Sequence, residues 1–282
     1  MPANKPPSPV IGRQHRSLAA SPDSTPRSLR QRLADPGPLF GLTCSTPSPT
    51  TVELIAAAGY DYLIVDVDQL VPQSNALADI ATAARHARIA LLAKVVTAAQ
   101  TRQAVGHAVS GIVLSRVCCP LQAAAAVRDC RQAMQVLRAQ EHASHAWLSF
   151  LGRSAAPDEL PLLLAAIEDG DGVACAGEIA AVDGIDILME STTALSHALQ
   201  LPWQTRHPSV QAAGRAVRLA AQAAGKQFCA HPQAPIELDA ALEDDVRLFV
   251  LGDDRVISRR AMSNQLERYR WRSGESNDES SC

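Results

Sequence analysis

No apolar run in this sequence approaches the ~18 residues needed to cross a bilayer, so nothing reads as a membrane span and a soluble protein is expected. Neither sign of charge dominates. Lys and Arg number 26 against 29 Asp and Glu, a net charge of −3 with no basic stripe, which excludes a general electrostatic grip on nucleic acid. Gly-rich phosphate loops are missing: neither GxGxxG nor GxxxxGK follows any apolar run. There is no signal-peptide core. The cysteines number seven, an odd count scattered over a long chain, and make no disulfide framework. Cys118 and Cys119 are adjacent and lack the partner pair of a zinc site. They read as small apolar residues of a reducing compartment, and a cytoplasmic location is expected.

What is present falls into three parts. Residues 1–27 hold six prolines (Pro2, Pro6, Pro7, Pro9, Pro22, Pro26), many Ser and Arg, and the single acid Asp23. Such a segment buries too little apolar surface to offset its ordering entropy, so a disordered extension is expected; a transit peptide is the lesser alternative. Residues 273–282 form a polar tail. The body is expected over 28–272.

Within the body, short apolar runs alternate with Ala-rich helical stretches. The strand-like runs are Leu39–Cys44, Tyr62–Asp66, Ala90–Val95, Gly111–Leu114, Leu160–Glu168, Ile185–Glu190, Lys226–His231 and Val246–Gly252. Several are uniformly apolar, as parallel strands covered on both faces should be. Gly59, Gly184 and Gly225 follow predicted helices, where a left-handed residue is wanted. Eight strands with helical crossovers predict an α/β fold, a (β/α)₈ TIM barrel with an extra C-terminal helix over Ile257–Trp271. An open doubly wound sheet is the alternative, and the missing phosphate loops argue against it. The weakest stretch is Gln140–Pro157, where a polar segment interrupts the rhythm. Its Glu141-His142-x-x-His145 lacks the HExxH order of a zinc protease and reads as a solvated face.

On a barrel, chemistry gathers at the C-terminal strand ends. Those ends supply Asp66, Asp68 and Gln69, Lys94, Ser115 and Arg116, Glu168, Glu190 with Ser191, Thr192 and Thr193, His231, and Asp253 with Asp254. A buried acid needs a cation, an ion-pair partner or hydrogen bonds, which makes Glu168 and Glu190 the informative pair.

Several stretches carry a family resemblance: "GLTCSTPSPTTVELIAAAGYDYLIVDVDQ", "EIAAVDGIDIL", "LQLPWQTRHPSVQAAGRAV" and "AGKQFCAHPQAP" before "RLFVLGDD". Together they resemble the HpcH/HpaI aldolase and citrate lyase family, metal-dependent pyruvate aldolases on a TIM barrel. The resemblance implies carbon–carbon bond cleavage or condensation at a 2-oxo acid of the pyruvate or oxaloacetate type. A divalent metal (Mg²⁺, Mn²⁺ or Co²⁺) would stabilise the enolate. It also implies a homo-oligomer packed through the C-terminal helix, where Met262, Leu266 and Tyr269 share one face.

Carried over position by position, the family's metal-binding Glu falls on Glu168 and the His-orienting Asp on Asp66. The catalytic His falls on Gln69, which can hydrogen-bond but cannot exchange a proton near neutral pH. The enolate-binding Arg falls on Lys94, which keeps the charge and loses the bidentate fork. The second metal ligand falls on Ala194, which ligates nothing. Glu190 is the expected substitute metal ligand, with Lys94, Ser191 and Thr192 binding substrate and Asp66 with Gln69 positioning it. His231 could serve as base or nitrogen ligand, or simply turn the chain with its ring bonded to backbone. Lys94 as a Schiff-base lysine is a lesser option. The same departures support a second reading, a catalytically silent barrel kept for binding or assembly.

Overall fold

The computed structural model describes residues 27–70, 75–150 and 160–272. Its elements run α1 (Leu29–Leu33), β1 (Leu39–Cys44), α2 (Pro49–Ala57), β2 (Tyr62–Asp66), α3 (Ala76–His86), β3 (Ala90–Val95), α4 (Ala98–Gly106), β4 (Gly111–Leu114) and α5 (Pro120–Phe150). They continue with β5 (Leu162–Ile167), α6 (Gly170–Ala174), α7 (Ala176–Ala180), β6 (Ile187–Glu190), α8 (Thr192–Ala198), α9 (Pro208–Ala223), β7 (Gln227–Ala230), α10 (Pro235–Glu243), β8 (Leu248–Asp253) and α11 (Asp254–Arg272). A 3₁₀ turn, Val67–Gln69, follows β2. The eight strands pair in parallel and in order, and β8 closes on β1. This is the (β/α)₈ barrel with its added C-terminal helix.

Two apolar layers explain why the strands are apolar throughout. Tyr62, Ile64, Leu92, Val113, Leu164, Ala166, Ile187, Met189, Cys229 and Leu248 fill the barrel. Their neighbours along each strand, among them Leu63, Val65, Leu91, Ile112, Leu163, Ala165, Ile167 and Leu188, pack outward against the helices. Side chains alternate faces along a strand, so a sequence buried on both sides has no room for polar residues until its end.

Inside, the Tyr62 ring lies over Gly41, where any Cβ would overlap it. The Tyr62 hydroxyl donates to the Phe249 carbonyl at 2.9 Å, and burial pushes its pKa well above the ordinary phenol value. At the N-terminal end of the barrel, α1 brings buried Leu29 onto the inner core. Arg30 pairs with Asp186 at 2.6 Å, and Arg32 pairs with Asp61. That end is stoppered, and the C-terminal end is left for chemistry.

Helix starts follow the sequence signals. Ser48 caps α2 ahead of Pro49, and Thr97 forms a capping box with Gln100 on α4. Gly184 adopts φ +106°, and a Cβ there would meet Val127 at 2.6 Å. The stretch expected to break rhythm from Gln140 instead continues α5 to Phe150; the rest of it, 151–159, lies outside the described residues. The expected extension and tail also lie outside them, apart from Arg27, whose guanidinium donates to Asp35 at 3.0 Å. Cys44, Cys130 and Cys229 are buried and free, as expected of core cysteines. No helix among the described residues is long and apolar enough to cross a membrane.

Candidate active site at the barrel mouth

Continuing each inner-facing series by two residues brings one set of side chains to the rim. Ile64 leads to Asp66, Leu92 to Lys94, Val113 to Ser115, Ala166 to Glu168, Met189 to Ser191 and Cys229 to His231. Lys94 and Glu168 meet there: Nζ lies 2.9 Å from Oε1, with the two side chains 26% and 13% exposed. The second oxygen, Oε2, accepts from Ser115 Oγ and from the Arg116 N–H, each at 2.8 Å. Arg116 supplies that N–H from a left-handed conformation, φ 58°, uncommon for a residue with a side chain.

Burial works to raise the Glu168 carboxyl. The Lys94 charge and the hydrogen bonds from Lys94, Ser115 and the Arg116 N–H outweigh it and hold the group below its usual range. Glu168 is therefore a carboxylate at neutral pH, fixed in orientation from both oxygens.

Asp66 accepts from the Asp68 N–H at 3.0 Å and from Gln69 Nε2 at 3.4 Å. The pair that the resemblance places on Asp66 and Gln69 is thus formed. Asp68 in turn accepts from Gln100 on α4. Asp66 stands beside Lys94 in the β2–β3 register.

Glu190 is not part of this set. Ile167, its register partner on β5, and Leu188, two residues before it, both belong to the outer core. Its carboxylate points away from the mouth, against Gly214 of α9, where a Cβ would overlap Oε2. It lines a cleft of about 210 Å³ outside the barrel wall, together with Gln211, Arg215 and Arg218 of α9 and Glu237 of α10. Burial raises its pKa, against the opposing pull of the His231 N–H and of Arg218. The expected Glu168/Glu190 metal pair is not brought together: the two groups lie on opposite faces of the wall.

Glu190 instead grips His231. Its Oε1 accepts the His231 backbone N–H at 2.9 Å, and its carbonyl oxygen lies 2.7 Å from His231 Nδ1. A carbonyl only accepts, so Nδ1 carries the proton and Nε2 is left with its lone pair. Burial lowers the His231 pKa, the bond to Glu190 opposes this, and the Lys94 charge lowers it further. The imidazole is neutral near pH 7.

Ser191 and Thr192 occupy the β6–α8 junction, with Thr192 buried. Asp253 and Asp254 are absorbed by structure: Asp254 accepts from the Ser45 N–H at 2.7 Å, and Ser45 Oγ pairs with Asp253, tying the β1–α2 loop to β8.

A divalent ion of the kind the resemblance implies finds a poor set of donors here. Hard cations take about six oxygens, commonly with more than one carboxylate when no phosphate is present. Among the described residues the mouth offers Glu168, already facing an ammonium, and Asp66, already bonded to the Asp68 N–H and Gln69, while alanine stands at position 194, to which the resemblance assigns the second ligand. Among the described residues no group of three His, Cys, Asp or Glu side chains is arranged to hold a metal. The residues present do not fit the ion.

Comparison with known proteins agrees with the barrel fold. The family model for HpcH/HpaI aldolase/citrate lyase matches residues 40–250. A hydroxypyruvate/pyruvate aldolase of Delftia acidovorans is 30% identical over 255 residues, covering 83% of this chain and 88% of the relative. The crystal structure of the citrate synthase SbnG superposes with a TM-score of 0.76 at 29% identity, covering 88% of this chain and 99% of that one. Macrophomate synthase shares the fold, with a TM-score of 0.71 at 19% identity over 89% of this chain and 91% of the other. The chain belongs to the HpcH/HpaI aldolase/citrate lyase family, a family of carbon–carbon lyases.

Proposed function

We propose that this protein makes or breaks a carbon–carbon bond next to the keto group of a 2-oxo acid of the pyruvate or oxaloacetate type, at the mouth of the barrel. The observation that carries this reading is the Lys94–Glu168 pair on the inner rim, oriented by Ser115 and the Arg116 N–H. Lys94 has three N–H donors and Glu168 engages one, leaving donors for a substrate carboxylate or keto oxygen. Negative charge that develops on the keto oxygen as the adjacent carbon becomes enolate-like then forms beside a fixed cation.

Gln69, held by Asp66, orients substrate or water but cannot carry a proton. His231 can: it is neutral, Nδ1 is committed to the Glu190 carbonyl, and Nε2 is an acceptor. Ser191 and Thr192, at the start of α8, are the further substrate-binding residues of this reading. The aldolase and citrate synthase names of the two relatives near 30% identity support the substrate class. The C-terminal helix α11 exposes Met262, Leu266 and Tyr269 at 70%, 51% and 67%, which supports a homo-oligomer packed through that helix.

Deuterium exchange at the pyruvate methyl group in D₂O tests the reading. Exchange in the wild type that Glu168→Ala abolishes is the expected result. A folded wild type that neither exchanges the methyl nor binds pyruvate or oxaloacetate would leave the silent barrel as the better account.

A further inference from the structure

The poor fit between this mouth and a divalent ion points past the reaction class to how its charge is balanced. We infer that the Lys94 ammonium takes the place of the metal ion, so that this chain handles its 2-oxo acid without a divalent cation. The inference rests on the proposed reaction for its activity arm and on charge and geometry for its binding arm.

Three observations converge on it. First, Glu168 faces Nζ at 2.9 Å, so an ion ligated by Oε1 at about 2.1 Å would be pressed against a like charge in a partly desolvated site. Second, Oε2 is fixed by two donors, Ser115 Oγ and the Arg116 N–H, both at 2.8 Å. The carboxylate cannot rotate toward an ion without breaking both. Third, among the described residues no other strand-end carboxylate is free to help: Asp68 accepts from Gln100, and Asp253 and Asp254 are bonded to Ser45. Glu190 lies on the outer face against Gly214, Asp66 is bonded to Asp68 and Gln69, and position 194 is alanine.

A lysine also brings what a metal would otherwise supply to an enolate, a full positive charge at hydrogen-bonding distance, although it lacks the chelating geometry. The Glu168 carboxylate keeps that ammonium at the rim, where a keto oxygen can reach it.

Mn²⁺ binding to the full-length protein, read by electron paramagnetic resonance, tests the inference without reference to activity. The wild type should leave Mn²⁺ free up to about 1 mM, the weak limit of protein sites for hard cations. The double variant Lys94→Gln/Ala194→Asp removes the ammonium and adds a carboxylate, and should bind at least ten-fold more tightly. Stoichiometric Mn²⁺ binding by the wild type that Glu168→Gln removes would overturn the inference, as would a folded double variant with no gain. Pyruvate methyl exchange supplies the second arm: a rate unchanged by EDTA supports the inference, and loss in EDTA with recovery in Mn²⁺ overturns it. Absence of exchange under every condition would count against the proposed reaction, while the Mn²⁺ titration still decides the role of Lys94.

Discussion

Lys94 and Glu168 stand two strands apart, on β3 and just past β5, and meet at 2.9 Å across the end of β4, whose Ser115 bonds the same carboxylate. Three neighbouring strand ends therefore converge on one charge pair. Lys94→Met should weaken pyruvate binding at least about ten-fold, since a charge-assisted contact is lost, and isothermal titration would show it. Unchanged affinity would place the substrate elsewhere.

Removing one partner of this pair leaves the other charge partly buried. Glu168→Gln should destabilise by about 1–3 kcal/mol, and a Lys94→Met/Glu168→Gln double variant by less than the sum of its single changes. Denaturant melts of the four proteins check this. Strict additivity would mean that the two side chains do not interact in solution.

The two carboxylates next to the inner and outer faces should respond to pH in opposite senses. Glu168 has a lowered pKa when folded, so its contribution is present above the unfolded value and is lost as pH falls through the folded one. Glu190 has a raised pKa, so its contribution is complete below the unfolded value and is lost as pH rises through the folded one. Glu190→Gln keeps an acceptor for the His231 N–H and removes the buried charge. At pH 8 it should be about 0.5–1 kcal/mol more stable than the wild type by thermal unfolding, with pyruvate binding unchanged. A loss of binding would show that Glu190 reaches the mouth after all.

Gly41 and Tyr62 make a sharper structural test. Gly41→Ala would drive a methyl group into the Tyr62 ring at the centre of the barrel. A destabilisation of about 1–3 kcal/mol is expected, the range for overpacked cores. Tyr62→Phe should lose about 1 kcal/mol, the ordinary net worth of its bond to the Phe249 carbonyl. Chemical denaturation checks both changes.

The exposed apolar face of α11 should matter for assembly. Met262→Glu with Leu266→Glu should shift the protein to a lower mass in sedimentation equilibrium and leave the barrel melting temperature nearly unchanged. A wild type already monomeric at micromolar concentration would contradict the proposed oligomer.

Much of this was legible in the sequence, for physical reasons that differ by element. The barrel could be read because doubly covered parallel strands have to be apolar, as β4 and β5 are in full. The Asp66–Gln69 contact and the retained Glu168 followed from the family resemblance. The strand end alone does not locate Glu190, because successive residues there face opposite sides of the wall. Alternation counted from Ile187 inward, through Leu188 outward and Met189 inward, puts Glu190 on the helix side. Ser115 was visible as a strand-end residue, but its role was not, because its partner lies on another strand. The Arg116 N–H left no trace in composition, since its donation depends on a left-handed backbone at a non-glycine residue. The length of α5 was hidden because its polar second half lacks the apolar stripe that marks a packed helix.

The most direct test of the account is a crystal structure of the full chain soaked with pyruvate and Mn²⁺ together. A pyruvate carboxylate or keto oxygen should lie within hydrogen-bonding distance of Lys94 Nζ, with Glu168 still bonded to Ser115 and no ion at the rim. Mn²⁺ bridging Glu168 and pyruvate, with Lys94 swung away, would contradict it.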